Sequence, residues 1–131
     1  MSNIYDWILE NACEPGNNWF IQQNLSDTSL QSMYELCKTH DKVITYFLWM
    51  ICNNIPDRHE LLNFTVQEFD QYDKNPAVSK SYIDQLLQNP ISYKKLMIII
   101  TRCYHLTPKS NQDNFLEKIC QYAIKSIEDS D

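Results

Sequence analysis

Residues 43–52 read Val43-Ile44-Thr45-Tyr46-Phe47-Leu48-Trp49-Met50-Ile51-Cys52, an apolar run interrupted only at Thr45. Such a run is well short of the roughly 20 residues a helix needs to cross a bilayer. Its apolar side chains point to nearly every side of a helix, so neighbouring elements must enclose it. Asp41 stands before it as a cap, and Asn53-Asn54-Ile55-Pro56 ends it. A second run, Leu96-Met97-Ile98-Ile99-Ile100, repeats the pattern within residues 92–105. Its β-branched residues also suit a buried strand, but its length favours helix, and a lone strand has no partner for its backbone hydrogen bonds. Two central, buried helices at about 42–54 and 92–105 therefore organise the chain.

Outward from these, apolar positions recur at intervals of three and four, with polar punctuation between them. Residues 3–12 form a first helix, capped by Ser2, with Ile4, Trp7 and Ile8 on one face; Glu14-Pro15-Gly16 breaks it. A short segment follows at 19–25. Over 28–40, Leu30, Met33, Tyr34 and Cys37 trace one amphipathic stripe. Beyond Pro56, Asp57-Arg58-His59-Glu60 has capping-box form and starts a brief helix to Leu62, and Thr65-Val66-Gln67-Glu68 starts another carrying Phe69 and Tyr72. Asn75-Pro76 opens a helix to about residue 88, with Val78, Tyr82 and Leu86 inward, and Asn89-Pro90 stops it. Ser110-Asn111-Gln112-Asp113 begins the last helix, which runs to about 127 with Phe115, Leu116, Ile119, Tyr122 and Ala123 inward. The expected architecture is an all-α, compact single-domain bundle of about seven to eight short helices over residues 1–127, with a frayed acidic C-terminus at 128–131.

An internal echo runs through this order. An amphipathic helix, a cap and an enclosed helix lead to Pro56, and the same series leads to Pro108 about fifty residues later. The order resembles helix-pair repeats of the HEAT or armadillo type, in architecture only. No specific family is recognised from the residues themselves.

Length and composition bound the function. At 131 residues a single domain is the expectation, and folding removes about two-thirds of the chain's surface from water. Gly16 is the only glycine, which excludes glycine-rich phosphate loops, dinucleotide-binding turns and nucleophile elbows. The formal charge of −6 disfavours nucleic acid. It is unevenly spread: residues 1–73 hold three basic and eleven acidic residues (−8), and residues 74–131 hold eight basic and six acidic (+2). Five cysteines, an odd number scattered among apolar residues, read as reduced core thiols. Asp6 and Glu10 fall inside the first hydrophobic segment with no basic leader, so a secretory signal is not expected and the cytoplasm is the expected compartment.

Constellations that carry chemistry are sparse. Cys37 and His40 have the spacing of two metal ligands on one helix, but Cys37 lies on the apolar stripe, where packing explains it. Cys103 and His105, two apart, cannot face each other on a helix. The carboxylate pairs Asp57 with Glu60 and Asp70 with Asp73 sit at caps or turns. Residues 70–75 begin like a calcium loop but lack its central glycine and a well-placed closing glutamate. Neither a metal nor a cofactor is expected.

Aromatic residues are the stronger signal. Trp7, Trp19, Phe20, Tyr46, Phe47 and Trp49 concentrate in the acidic half, a mixture common where a basic partner is anchored. Trp19-Phe20 follows a Pro-Gly break in a segment too short to bury both rings. The expectation is a non-catalytic protein-binding module of inhibitor, immunity or antitoxin type. Trp19, Phe20, Glu10, Glu14, Asp27 and Glu35 are its partner-binding residues, and its partner is a basic protein rather than nucleic acid or membrane. The alternatives are a scaffold or assembly subunit built of helix pairs, including a homo-oligomer, and a small helical enzyme with a site of scattered residues.

Overall fold

The computed structural model describes residues 4–15, 18, 29–38, 41–72 and 88–129. These contain α1 (Ile4–Asn11), α2 (Leu30–Cys37), α3 (Asp41–Asn54), α4 (Arg58–Asp70), α5 (Tyr93–Leu106), a 3-10 turn (Lys109–Asn111) and α6 (Gln112–Asp129). The fold is all-α, with no strand among the described residues.

Local chemistry sets the helix starts. The Ser29 hydroxyl accepts from the Ser32 amide at 3.2 Å, the Asp57 carboxylate from Glu60 at 3.2 Å and the Ser92 hydroxyl from Lys95 at 3.1 Å. Each satisfies an amide that the first helical turn leaves without a carbonyl. The end of α3 is closed by Asn53 and Asn54, whose side-chain amides donate to the Trp49 and Met50 carbonyls, both at 2.8 Å.

The described helix count, six with one 3-10 turn, is below the expected seven to eight. One reason is Thr65. Its hydroxyl caps nothing; fully buried, it donates to the Leu61 carbonyl at 2.8 Å, and the two expected helices join as α4. Core burial of Leu61, Leu62, Val66 and Phe69 along one side holds that helix together. The segments expected at 19–25 and 75–88 lie outside the described residues, apart from residue 88 itself. The box expected at Ser110 does not form. Asn111 donates its amide to the Pro108 carbonyl at 2.7 Å in the 3-10 turn, and α6 starts at Gln112. It continues through Asp129, two residues past the expected end.

The helices share one core. The stripe Leu30, Met33, Tyr34 and Cys37 is buried as its spacing predicts. The two helices expected at the centre, α3 and α5, pack against each other, with α2 and α6 also on α3 and α4 and α6 also on α5. Neither is enclosed on every side, however: Tyr46 of α3 is 37% exposed and Ile98 of α5 is 60% exposed. On α5 the buried face is Leu96, Ile99, Ile100 and Cys103, and the opposite face meets solvent.

The antiparallel contact of α4 with α6 is written in steps of four. Phe64 stacks on Tyr122 with ring centroids 4.2 Å apart and planes 13° apart, and the Tyr122 hydroxyl bonds the Glu60 carboxylate. One turn on, Lys118 Nζ stands 3.5 Å from Glu68 Oε2. Just past the end of α4, Asn114 Nδ2 donates to the Tyr72 hydroxyl at 3.0 Å, and Tyr72 meets Phe115 edge-on. Each advance along α4 is matched by an equal retreat along α6, which is the i, i+4 face of one helix laid on that of another.

Candidate functional site

The surface expected to bind a partner is partly in view. Trp19, Phe20 and Asp27 lie outside the described residues. Glu10 and Glu14 are exposed near the end of α1. Glu35 is exposed on α2, where Lys38 Nζ lies 2.6 Å from its carboxylate and Gln31 Nε2 donates to it at 2.9 Å. The bond from Lys38 holds that carboxyl below the usual range, so much of its charge is answered within its own helix.

The aromatics of the acidic half are mostly packed. Trp7 and Trp49 join α1 to α3 with ring centroids 4.7 Å apart, and Phe47 is buried against Tyr34 at 5.5 Å. Tyr46 remains at the surface. Pairing of Trp7 with Trp49 was not legible in the sequence, because the two are separated by a long stretch of chain and nothing local sets their register.

Arg58 changes the electrostatics of this half. Its Nε donates to the Cys52 carbonyl at 2.9 Å and its Nη1 to the Ile91 carbonyl at 3.2 Å. A guanidinium suits this task because its fixed fork of donors reaches two acceptors at once. The helix end of α3, the start of α4 and the approach to α5 are thereby tied at one point. His59 adds a second tie, its Nε2 lying 2.6 Å from the Asn89 carbonyl; a carbonyl only accepts, so Nε2 carries the hydrogen. Asp57, Glu60 and Asp70 are exposed acidic residues of this region.

The opposite charge gathers on α5. Lys94, Lys95, Arg102 and His105 are exposed, and α5 contains no carboxylate. Beside the His105 end, a cavity of about 330 Å³ opens between α3, α5 and the start of α6. Ile44, Leu48, Ile100 and Leu116 make it apolar, and Thr45, Thr101 and His105 bring polar groups to it. The Gln112 amide at this cavity is engaged with the Tyr104 and Thr107 carbonyls at 3.1 and 3.4 Å.

The thiols divide by environment. Burial pushes Cys37, Cys52 and Cys103 up to about 12 and Cys120 well above its ordinary value. Burial therefore favours the thiol over the thiolate in these four and lowers their nucleophilicity. Cys13 is exposed. His40, which has the spacing of a second ligand beside Cys37, lies outside the described residues, and among the described residues no three His, Cys, Asp or Glu side chains group to hold a metal ion. One buried polar contact was missed by the sequence reading: the Tyr34 hydroxyl on α2 donates to the Glu117 carboxylate on α6. Tyr34 looked there like one more residue of an apolar stripe.

No protein-family model, curated protein or solved structure matches this chain. Among the described residues no helix is long and apolar enough to cross a membrane.

Proposed function

We propose that this protein is a non-catalytic binding module, of inhibitor, immunity or antitoxin type, whose acidic N-terminal half engages a basic partner protein. The observation that carries the reading is the withdrawal of Arg58. Arg58, one of only three cations in residues 1–73, is held by two backbone carbonyls, and that half carries −8 with all three cations counted. Exposed Glu10 and Glu14 lie at its edge and Asp57, Glu60 and Asp70 along α4. Opposed surface charge of this kind accelerates encounter and selects partners by sign. Trp19, Phe20 and Asp27 belong to the same proposed surface, with Glu35 as a weaker contributor because Lys38 answers it. Four buried free thiols support a reducing compartment, the cytoplasm.

The test is capture of basic proteins at low salt by the full chain, followed by association kinetics. Replacing Glu10, Glu14, Asp27 and Glu35 with their amides is expected to slow association several-fold and flatten its salt dependence. Unchanged kinetics sink the reading.

A second reading is favoured by the side-by-side packing of α3 and α5, the helices that end the two halves of the internal echo. In it the chain is a scaffold subunit of HEAT-like helix pairs. Light scattering coupled to size exclusion at high salt separates the two readings, since an assembly that persists when surface charge is screened supports the scaffold.

A further inference from the structure

We infer that the solvent face of α5 docks a second copy of this chain, meeting the copy's acidic N-terminal half. The inference rests on the acidic-surface reading above, because Glu10 and Glu14 supply the other side of the contact.

Lys94, Ile98, Arg102 and His105 follow one another at intervals of four, four and three, which places them on one stripe of the helix. All four are exposed, and Lys95 flanks them. The buried residues Leu96, Ile99, Ile100 and Cys103 take the opposite side, so the stripe contributes nothing to the core. Helix stability explains His105, which lies in the last turn, but not the N-terminal end of the stripe. Lys94 and Lys95 occupy the first turn, where the helix dipole disfavours cations and carboxylates are the stabilising choice. Ile98 is the most exposed large hydrophobic residue among those described, at 60%, and it sits between Lys94 and Arg102. An apolar centre within a charged rim is the anatomy of a protein contact.

The occupant is indicated by complementary charge within the chain. Residues 1–73 carry −8, with Glu10 and Glu14 exposed. Two copies of net charge −6 repel at a distance, so they meet favourably only where the basic stripe of one faces the acidic half of the other. That contact joins different surfaces and is heterologous. An anionic lipid surface is the poorer match, because one isoleucine is little to insert and the whole chain is repelled by the membrane's charge.

Sedimentation velocity on the full chain at low salt, over rising concentration, reads the association. The wild type is expected to self-associate. The pair Lys94→Glu with Arg102→Glu, and separately the pair Glu10→Lys with Glu14→Lys, are each expected to sediment as monomers. An equimolar mixture of the two variants restores association, because each interface again joins opposite charges. Matching helical circular dichroism and melting curves establish that both variants fold. A wild type that stays monomeric, or a mixture that does not reassociate, overturns the inference. So does a monomeric wild type that binds phosphatidylserine vesicles through Lys94 and Arg102. The acidic-surface reading is judged apart from this, by whether an octalysine peptide binds the wild-type chain and loses affinity when Glu10 and Glu14 are made glutamine.

Discussion

The Tyr34 hydroxyl and the Glu117 carboxylate form a hydrogen bond that crosses from α2 to α6 in a largely apolar region. Tyr34 is almost wholly buried, and its ring also meets Phe47 at 5.5 Å and lies 5.7 Å from Lys38 Nζ. Replacing it with phenylalanine keeps the ring and strips the carboxylate of its donor. Tyr34→Phe is expected to cost about 1–2 kcal/mol, with Glu117→Gln costing less in that background than in the wild type. Urea unfolding of the four members of this cycle measures the coupling; strictly additive losses contradict the bond.

Arg58→Met retains much of the stem but removes two bonds to backbone carbonyls. A loss of about 2–3 kcal/mol is expected. Arg58→Lys rescues little of it, since a single ammonium does not reproduce the fork that spans Cys52 and Ile91. Equal stability of the lysine variant and the wild type, in thermal or urea melts, argues against the tie.

Alkaline pH is expected to destabilise the fold. Burial raises Tyr34 above its ordinary range, and the four buried thiols rise above their ordinary 9.0. In each case the folded chain keeps a proton that the unfolded chain releases. Their stabilisation is therefore complete below about pH 9 and declines as pH rises through 9 toward 12, at up to about 1.4 kcal/mol per pH unit for each group. Urea midpoints compared between pH 7 and pH 11 read this directly, and a flat profile contradicts it.

Iodoacetamide is expected to label the folded chain once, at Cys13, and to reach all five cysteines only after unfolding. Intact-mass spectrometry counts the adducts. Rapid labelling of Cys37 or Cys120 in the folded protein is the contrary result.

Helix starts can be tested separately. Asp57→Ala and Ser92→Ala are each expected to cost about 1 kcal/mol through loss of a cap. Ser110→Ala, at the box that does not form, is expected to stay within about 0.5 kcal/mol of wild type. Differential melting of the three variants decides.

The legible parts of this molecule are those set by neighbours along the chain. The stripe from Leu30 to Cys37, the cap at Asp57 and the helical state of residues 93–106 all rest on spacing or on hydrogen bonds within one turn. Thr65 shows the limit. Its capping pattern is genuine in sequence, but burial of Leu61, Leu62, Val66 and Phe69 along one continuous face outweighs it, and its hydroxyl turns back to Leu61. Of the proposed partner-binding residues, Glu10, Glu14 and Glu35 are seen at the surface, and Trp19, Phe20 and Asp27 lie outside the described residues.

Composition and periodicity alone determined that this chain is helical, that Gly16 leaves no glycine-rich phosphate site, and that its charge is divided into an acidic and a basic part. Tertiary structure decided where those charges face. Packing against α3, α4 and α6 buries one side of α5 and leaves Lys94, Ile98 and Arg102 in solvent, while two carbonyls from separate segments draw Arg58 inward. A side chain's position on its helix is a local property, but the face a helix presents is set by which neighbours cover the other side, and that depends on contacts between residues far apart in the chain.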